Sequence, residues 1–144
     1  TNKRLVGFNR AMRDHGIEPH ERYLVQGRFH DPQKSRETTR YLIELPDPPT
    51  VILYPDDFSY IGGMTELEKM GLSVPEDVST AGYDGVPISQ FLRPRLTTYH
   101  QDAEQIGRVS ARKLVETIEN KKTCIPEEIS VSGYVLEGTS VAAV

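Results

Sequence analysis

Thr50-Val51-Ile52-Leu53-Tyr54-Pro55-Asp56-Asp57 decides the fold. Its first five residues are β-branched or apolar without interruption, the pattern of a strand covered on both faces. The Pro-Asp-Asp that follows marks an open C-terminal strand end. Upstream, Pro46-Asp47-Pro48-Pro49 stops a helix, because three prolines cannot continue one. That helix begins at Asp31-Pro32, an N-cap followed by Pro in the first turn, and runs to about Glu44, burying Tyr41, Leu42 and Leu45. Before it, Tyr23-Leu24-Val25-Gln26-Gly27 reads as a short strand. Leu5, Phe8, Ala11 and Met12 recur at helical spacing over about residues 3–15, ahead of Gly16.

Downstream, a third helix runs to about Met70 and stops at Gly71. Val78-Ser79-Thr80-Ala81-Gly82 reads as a third strand, and residues 86–94, with Pro87 and Pro94, as a loop. Leu96-Thr97-Thr98-Tyr99 is extended. Ala103, Ile106, Ser110, Leu114 and Ile118 mark the longest helix, about 102–120, with Asp102 as its N-cap. Ile129, Val131, Gly133 and Val135 alternate as a last strand. Strands separated by helices imply an α/β fold, an open and mainly parallel sheet with helices on both faces. The one internal boundary falls at residues 96–99, where an extended piece leads away from the sheet into the long helix.

The 144 residues allow one domain or one lobe of a larger one. With 17 basic and 21 acidic residues the net charge is −4, which lacks the basic surface a phosphate backbone needs. No run approaches the roughly 20 apolar residues of a membrane span, and no secretion signal opens the chain. The single Cys124 excludes an internal disulfide, and zinc-ligand spacings are absent. Thr1, in place of an initiator Met, reads as a cut from something longer.

Ligands of open parallel sheets bind beyond the C-terminal strand ends. Three clusters fall there: Arg28-Phe29-His30, Asp56-Asp57 and Tyr83-Asp84-Gly85. Carboxylates accept paired hydrogen bonds, while rings stack on sugar or base faces. Each cluster also has a plainer reading. Asp84 before Gly85 shapes a turn. Asp57 is read first as a helix N-cap, Phe29 as a core side chain, His30 and His100 as structural or solvated. Lys121-Lys122 suits a helix C-terminus, and Cys124 is a passive small side chain. Gly62-Gly63 fits tight helix packing rather than a phosphate loop, since no G-x-G-x-x-G follows a strand. No nucleophile elbow is present, so enzyme chemistry finds little support. A magnesium-dependent phosphotransfer site at Asp56-Asp57 lacks its partner Lys or Thr on a neighbouring strand end.

The stretch Gly71-Leu72-Ser73-Val74-Pro75-Glu76-Asp77-Val78-Ser79-Thr80-Ala81-Gly82-Tyr83-Asp84-Gly85 resembles a signature of the lac repressor (LacI/GalR) family of bacterial transcription regulators. Leu96-Thr97-Thr98-Tyr99-His100-Gln101, with Ile106-Gly107-Arg108, Ala111 and Leu114, is similar to the family's second signature. Arg4-Leu5-Val6-Gly7-Phe8, with Ala11 and Met12, resembles a third. All three stand in the family's order, over nearly the whole chain. The resemblance implies a periplasmic-binding-protein-like (type I) sensor, hinged between two lobes around a small effector and joined to a DNA-binding helix-turn-helix. Residues 1–95 then form most of the C-terminal lobe, without its first strand. Residues 96–122 are a hinge crossing and a helix of the N-terminal lobe, and residues 123–144 are the return strand and tail.

Position by position, the resemblance implies effector contacts for Phe29, Asp56, Asp84 and Gln101, and a dimer surface that includes Ile61, Met64, Phe91 and Leu92. The Arg that many members use would fall just before Thr1. Two acids in one cleft fit a polyol or a cation better than a phosphorylated effector. Gly138-Thr139-Ser140 departs from the family's usual Arg-Ser-Thr ending, which leaves the closing contacts of the last strand open. The expected protein is a cytoplasmic, dimeric repressor sensing a sugar-like effector, without cofactor, metal or membrane, and reaching operator DNA only through a helix-turn-helix absent from this chain. The alternative is a solute-binding protein of sugar uptake, which shares fold and cleft.

Overall fold

Three aspartates start three of the helices. Asp31 accepts the Lys34 N–H at 2.9 Å and opens α2, Pro32–Ile43. Asp56 accepts the Ser59 N–H at 2.8 Å and opens α3, Asp57–Lys69. Asp102 accepts the Gln105 N–H at 2.8 Å and opens α4, Ala103–Glu119. Each side chain satisfies a backbone donor that the first helical turn leaves unpaired. The remaining helix, α1 (Asn2–Asp14), has no acid in its first turn. Gly16 and Gly71, at φ 71° and 77°, follow α1 and α3 in the left-handed region that glycine enters without strain. The computed structural model describes residues 2–120 and 125–143; Lys121, Lys122 and Cys124 lie outside them.

The sheet runs β1 (Val51–Leu53), β2 (Ser79–Asp84), β3 (Thr97–His100), β4 (Tyr134–Leu136), in that spatial order. β1, β2 and β3 are parallel, with Ile52 opposite Thr80 and Gly82 opposite Thr98. β4 is antiparallel to β3, pairing Tyr99 with Val135. The open, mainly parallel sheet expected from the sequence is therefore present.

Five readings need correction. The last strand spans only Tyr134–Leu136, so Ile129, Val131 and Gly133 precede it, outside any ladder among the described residues. Residues 23–27 form no strand: a 3-10 turn, Glu21–Tyr23, leads into an extended segment without a ladder partner among the described residues. A strand needs a neighbour as well as β-branched residues, and β1 has only β2 beside it. β1 is also not covered on both faces. Ile52 is buried against the helices, while Val51 and Leu53 remain half exposed on the other side. Residues 97–100 do not lead away from the sheet but enter it as β3. Tyr41 is half exposed and only Leu42 of its trio is buried.

The core lies between the sheet and the α2–α3 pair. It comprises Leu42, Ile52, Tyr54, Tyr60, Leu67, Val78 and Leu96. Gly62 lets α3 meet the start of α2 closely, and Gly63 lets it meet Tyr54 beyond β1. A Cβ on Gly62 would run into the Pro32 backbone, and one on Gly63 into the Tyr54 hydroxyl. Glu66 of α3, 3% exposed, is held by Arg36 at 3.2 Å and by Arg40, both on α2. Burial alone would raise its carboxyl, but the two guanidiniums outweigh that and hold it below the usual range. The Tyr54 hydroxyl pairs with that of Thr39 at 3.0 Å. The tail is tied down as well: buried Ser140 donates to the Thr80 carbonyl at 2.7 Å and accepts the Thr97 N–H at 2.9 Å. α1 and α4, by contrast, bury no described side chain, so Ile106, Leu114 and Ile118 of α4 stand exposed.

Candidate functional site

The C-terminal ends of β1, β2 and β3 open on one rim. β2 delivers Asp84 there in an unusual backbone state, φ 109°, and Gly85 follows at φ 67°. The loop before α2 delivers His30, at φ 53°. These are the only non-glycine residues with positive φ among those described. Such strain persists only where surrounding contacts impose it.

The two residues face each other, with His30 Nε2 3.8 Å from Asp84 Oδ2. Gln101, just past β3, donates through Nε2 to Asp84 Oδ1 at 2.5 Å, and its N–H donates to the Asp84 carbonyl at 3.1 Å. Arg4 reaches in from the first turn of α1. Its guanidinium donates to the Pro55 carbonyl at 2.7 Å and stands 3.9 Å from Asp84 Oδ1. It lies 3.7 Å above the Tyr83 ring centre and 5.5 Å from that of Phe29. Phe29 and Phe58, 47% and 40% exposed, leave ring surface open to a ligand, and the His30 ring meets Phe58 edge-on at 5.4 Å. Stacking faces, one partly exposed carboxylate and a guanidinium thus converge, the makings of a small polar-molecule site.

Phe29, Asp84 and Gln101 are brought together as expected. Asp56 is not part of the site. It is fully buried; Oδ1 takes the Ser59 N–H, and Oδ2 takes the Ser59 hydroxyl at 2.9 Å and the His30 N–H at 3.1 Å. No lone pair is left facing solvent, so Asp56 caps α3 and cannot meet an effector. Asp57, expected as that cap, instead accepts the Val86 N–H at 2.9 Å and the Thr98 hydroxyl at 2.6 Å. It is also fully buried, which removes the pair as a phosphotransfer centre. The inference from two cleft acids falls with Asp56, since only Asp84 remains. Among the described residues no group of three His, Cys, Asp or Glu is placed to hold a metal ion.

Sequence reasoning does not reach Arg4 or His30: a lone histidine reads as structural or solvated, and Arg4 stands within a helix motif. No local signal marks Arg4, whose partners Pro55 and Asp84 lie far along the chain. The residues expected on a dimer surface divide: Phe91 is 80% exposed, Ile61 is half-buried, and the half-buried Met64 and Leu92 also pack on the core.

Residues 1–141 match the model of the periplasmic binding protein-like domain. The chain belongs to that family. The order of its three motifs and the nature of its relatives place it in the lac repressor (LacI/GalR) branch. It is 35% identical over 139 residues to the HTH-type transcriptional repressor PurR of Shigella sonnei, an alignment covering 96% of this chain and 40% of that protein. Its fold superposes on a LacI transcriptional regulator from Bacillus cereus subsp. cytotoxis at a TM-score of 0.93 with 25% identity, covering 99% of this chain and 50% of the other. A LacI family regulator from Enterococcus faecium, solved with bound ribose, matches at 0.86 with 27% identity over 98% of this chain and 51% of the other. The periplasmic-binding-protein-like chain thus spans about two-fifths of its curated relative and half of each solved one.

Proposed function

We propose that this segment is the effector-sensing and dimerising part of a bacterial transcription regulator of the repressor type. It binds a sugar or related polar metabolite and works by binding rather than by covalent chemistry. Operator DNA is reached, in the cytoplasm, through a helix-turn-helix outside this chain. No helix among the described residues is long and apolar enough to cross a membrane. Residues 1–95 serve as the C-terminal lobe, 96–122 as hinge and N-terminal-lobe helix, and 123–144 as return strand and tail. Ile61, Met64, Phe91 and Leu92 contribute the dimer surface.

The observation that carries this reading is the convergence of Phe29, Asp84, Gln101 and Arg4 on one rim. Asp84 sits on β2, while Gln101 joins β3 to α4. An effector that engages Asp84 therefore alters the bond holding the start of α4. An effector that binds one lobe orientation better than another shifts the population toward it.

The test uses the full-length regulator. Neutral pentoses, hexoses and disaccharides are screened for binding, and the affinity of each binder is measured by calorimetry for wild type and Asp84→Asn. Asn keeps the shape and tolerates positive φ. Loss of the charged acceptor weakens binding by about 10- to 100-fold. Unchanged affinity overturns the assignment.

A further inference from the structure

Two backbone amides part company where the β3–β4 ladder ends. Its last pair is His100 with Tyr134. Beyond it, the Gln101 N–H turns to the Asp84 carbonyl on the rim, while the Gly133 N–H turns to the Tyr99 hydroxyl at 3.0 Å. A side chain thus satisfies an amide that the sheet leaves over. The Tyr99 ring then leads back to the rim. It stacks on Tyr83, its register partner on β2, with ring centres 5.2 Å apart and planes 28° from parallel. Tyr83 in turn carries the Arg4 guanidinium 3.7 Å above its ring centre. Three contacts therefore join Arg4 on α1 to Gly133 on the segment that returns from α4 to β4.

Gly133 is fitted to its end of this chain of contacts. Its φ lies outside the left-handed region, so no turn demands glycine there. A Cβ would instead meet the Tyr99 ring at 2.7 Å and the His100 carbonyl. Bare backbone lies against the ring, and the hydroxyl at the ring's edge receives its N–H. A phenylalanine at this position would keep the stack on Tyr83 and the close approach to Gly133. Only the hydroxyl fastens the segment.

We infer that Tyr99 is a positioning residue that fastens the return segment at Gly133 to the Tyr83–Arg4 pair of the rim. The cation over one ring and the stack of two rings each favour a defined geometry, so the hydroxyl's place depends on Arg4. A ligand that draws Arg4 off the Tyr83 face loosens the return segment without touching it. The use of this link by an effector rests on the sensor reading above; the link itself does not.

The experiment needs no ligand. Amide hydrogen exchange of the full-length regulator is followed at Gly133 by mass spectrometry at residue resolution. Thr80, whose N–H is bonded to the Ser140 carbonyl at 2.7 Å in the buried sheet, reports global opening. In Tyr99→Phe, Gly133 exchanges about five- to tenfold faster and Thr80 is unchanged. Arg4→Met removes the guanidinium and keeps an unbranched chain. It speeds exchange at Gly133 roughly threefold or more in the wild-type background and has no effect there in Tyr99→Phe. A tyrosine that merely stiffens the sheet gives Arg4→Met the same effect in both backgrounds. Equal effects in the two backgrounds, none included, overturn the inference. So does a Gly133 rate untouched in Tyr99→Phe, or an acceleration that Thr80 shares. If Asp84→Asn weakens sugar binding while Gly133 ignores Arg4→Met, the sensor reading stands and the Tyr99 assignment alone falls. If Gly133 responds as expected while Asp84→Asn leaves sugar affinity unchanged, the Tyr99 assignment stands and the sensor reading alone falls.

Discussion

Asp56 and Asp84 are both carboxylates at the C-terminal ends of parallel strands, and they do opposite work. Asp56 is sealed in the protein with its oxygens occupied by Ser59 and His30. Asp84 remains 22% exposed at its side chain, with Oδ2 facing His30 across an open gap. The first is a structural residue by its hydrogen-bond count, and removing it has a structural cost. Asp56→Ala deletes a helix cap and strands the buried Ser59 hydroxyl, so unfolding free energy drops by about 2–3 kcal/mol in urea titration. A loss below about 0.5 kcal/mol contradicts this role. The two acids could not be told apart by residue type, because Asp56 and Asp57 each suit a cap. What separates them is the backbone: Asp56 is extended at φ −160°, as a cap residue must be, whereas Asp57 is already in the helix. Asp84 was legible because the rule placing ligands beyond parallel strand ends depends only on strand direction. Arg4 was not, because its partner is a distant strand end and no local pattern records that meeting.

At the scale of elements, the helices were readable, whereas residues 23–27 form no strand and the last strand begins at Tyr134 rather than near Ile129. Asp31-Pro32, Asp102, Gly16 and Gly71 punctuate helices through contacts within a few residues, so their message is local. Residues 23–27 carry strand-like side chains, but strand formation depends on a neighbour that local sequence does not supply. The Gly62-Gly63 reading held for a physical reason. α3 packs so closely on the start of α2 and on Tyr54 at the end of β1 that the Pro32 backbone and the Tyr54 hydroxyl occupy the space a side chain would need. Two effects compete when Gly62 becomes Ala. Helix propensity favours Ala by about 1 kcal/mol. The clash is with backbone rather than a flexible side-chain tip, so it wins, and Gly62→Ala destabilises by about 1–3 kcal/mol. Denaturant midpoints of the two proteins measure the sign; a stabilised variant means the helices have room to part.

For the molecule as a whole, the core is unusual in resting on two tyrosines. Tyr54 and Tyr60 meet edge-on at 5.8 Å inside it. Burial pushes both phenols up, Tyr60 to about 12 and Tyr54 further, from an ordinary value of 10. The fold therefore favours the neutral phenols. Their contribution to stability is complete below pH 10 and is lost as pH climbs through about 12, because the unfolded chain releases its protons first. Tyr54 and Tyr60 are expected to titrate late, together with unfolding. Ultraviolet absorbance of tyrosinate, recorded alongside circular dichroism, follows both events; a tyrosinate signal that is complete before unfolding begins contradicts the burial of Tyr54 and Tyr60.

The strained backbone at His30 and Asp84 has a practical consequence for anyone redesigning this rim. Positive φ tolerates a short alphabet, chiefly Gly, Asn, Asp and His, and penalises β-branched and bulky side chains. Randomising those two codons would return mostly misfolded clones. Diversity is better spent on Phe29 and Phe58, whose rings border the same opening without carrying either unusual φ angle.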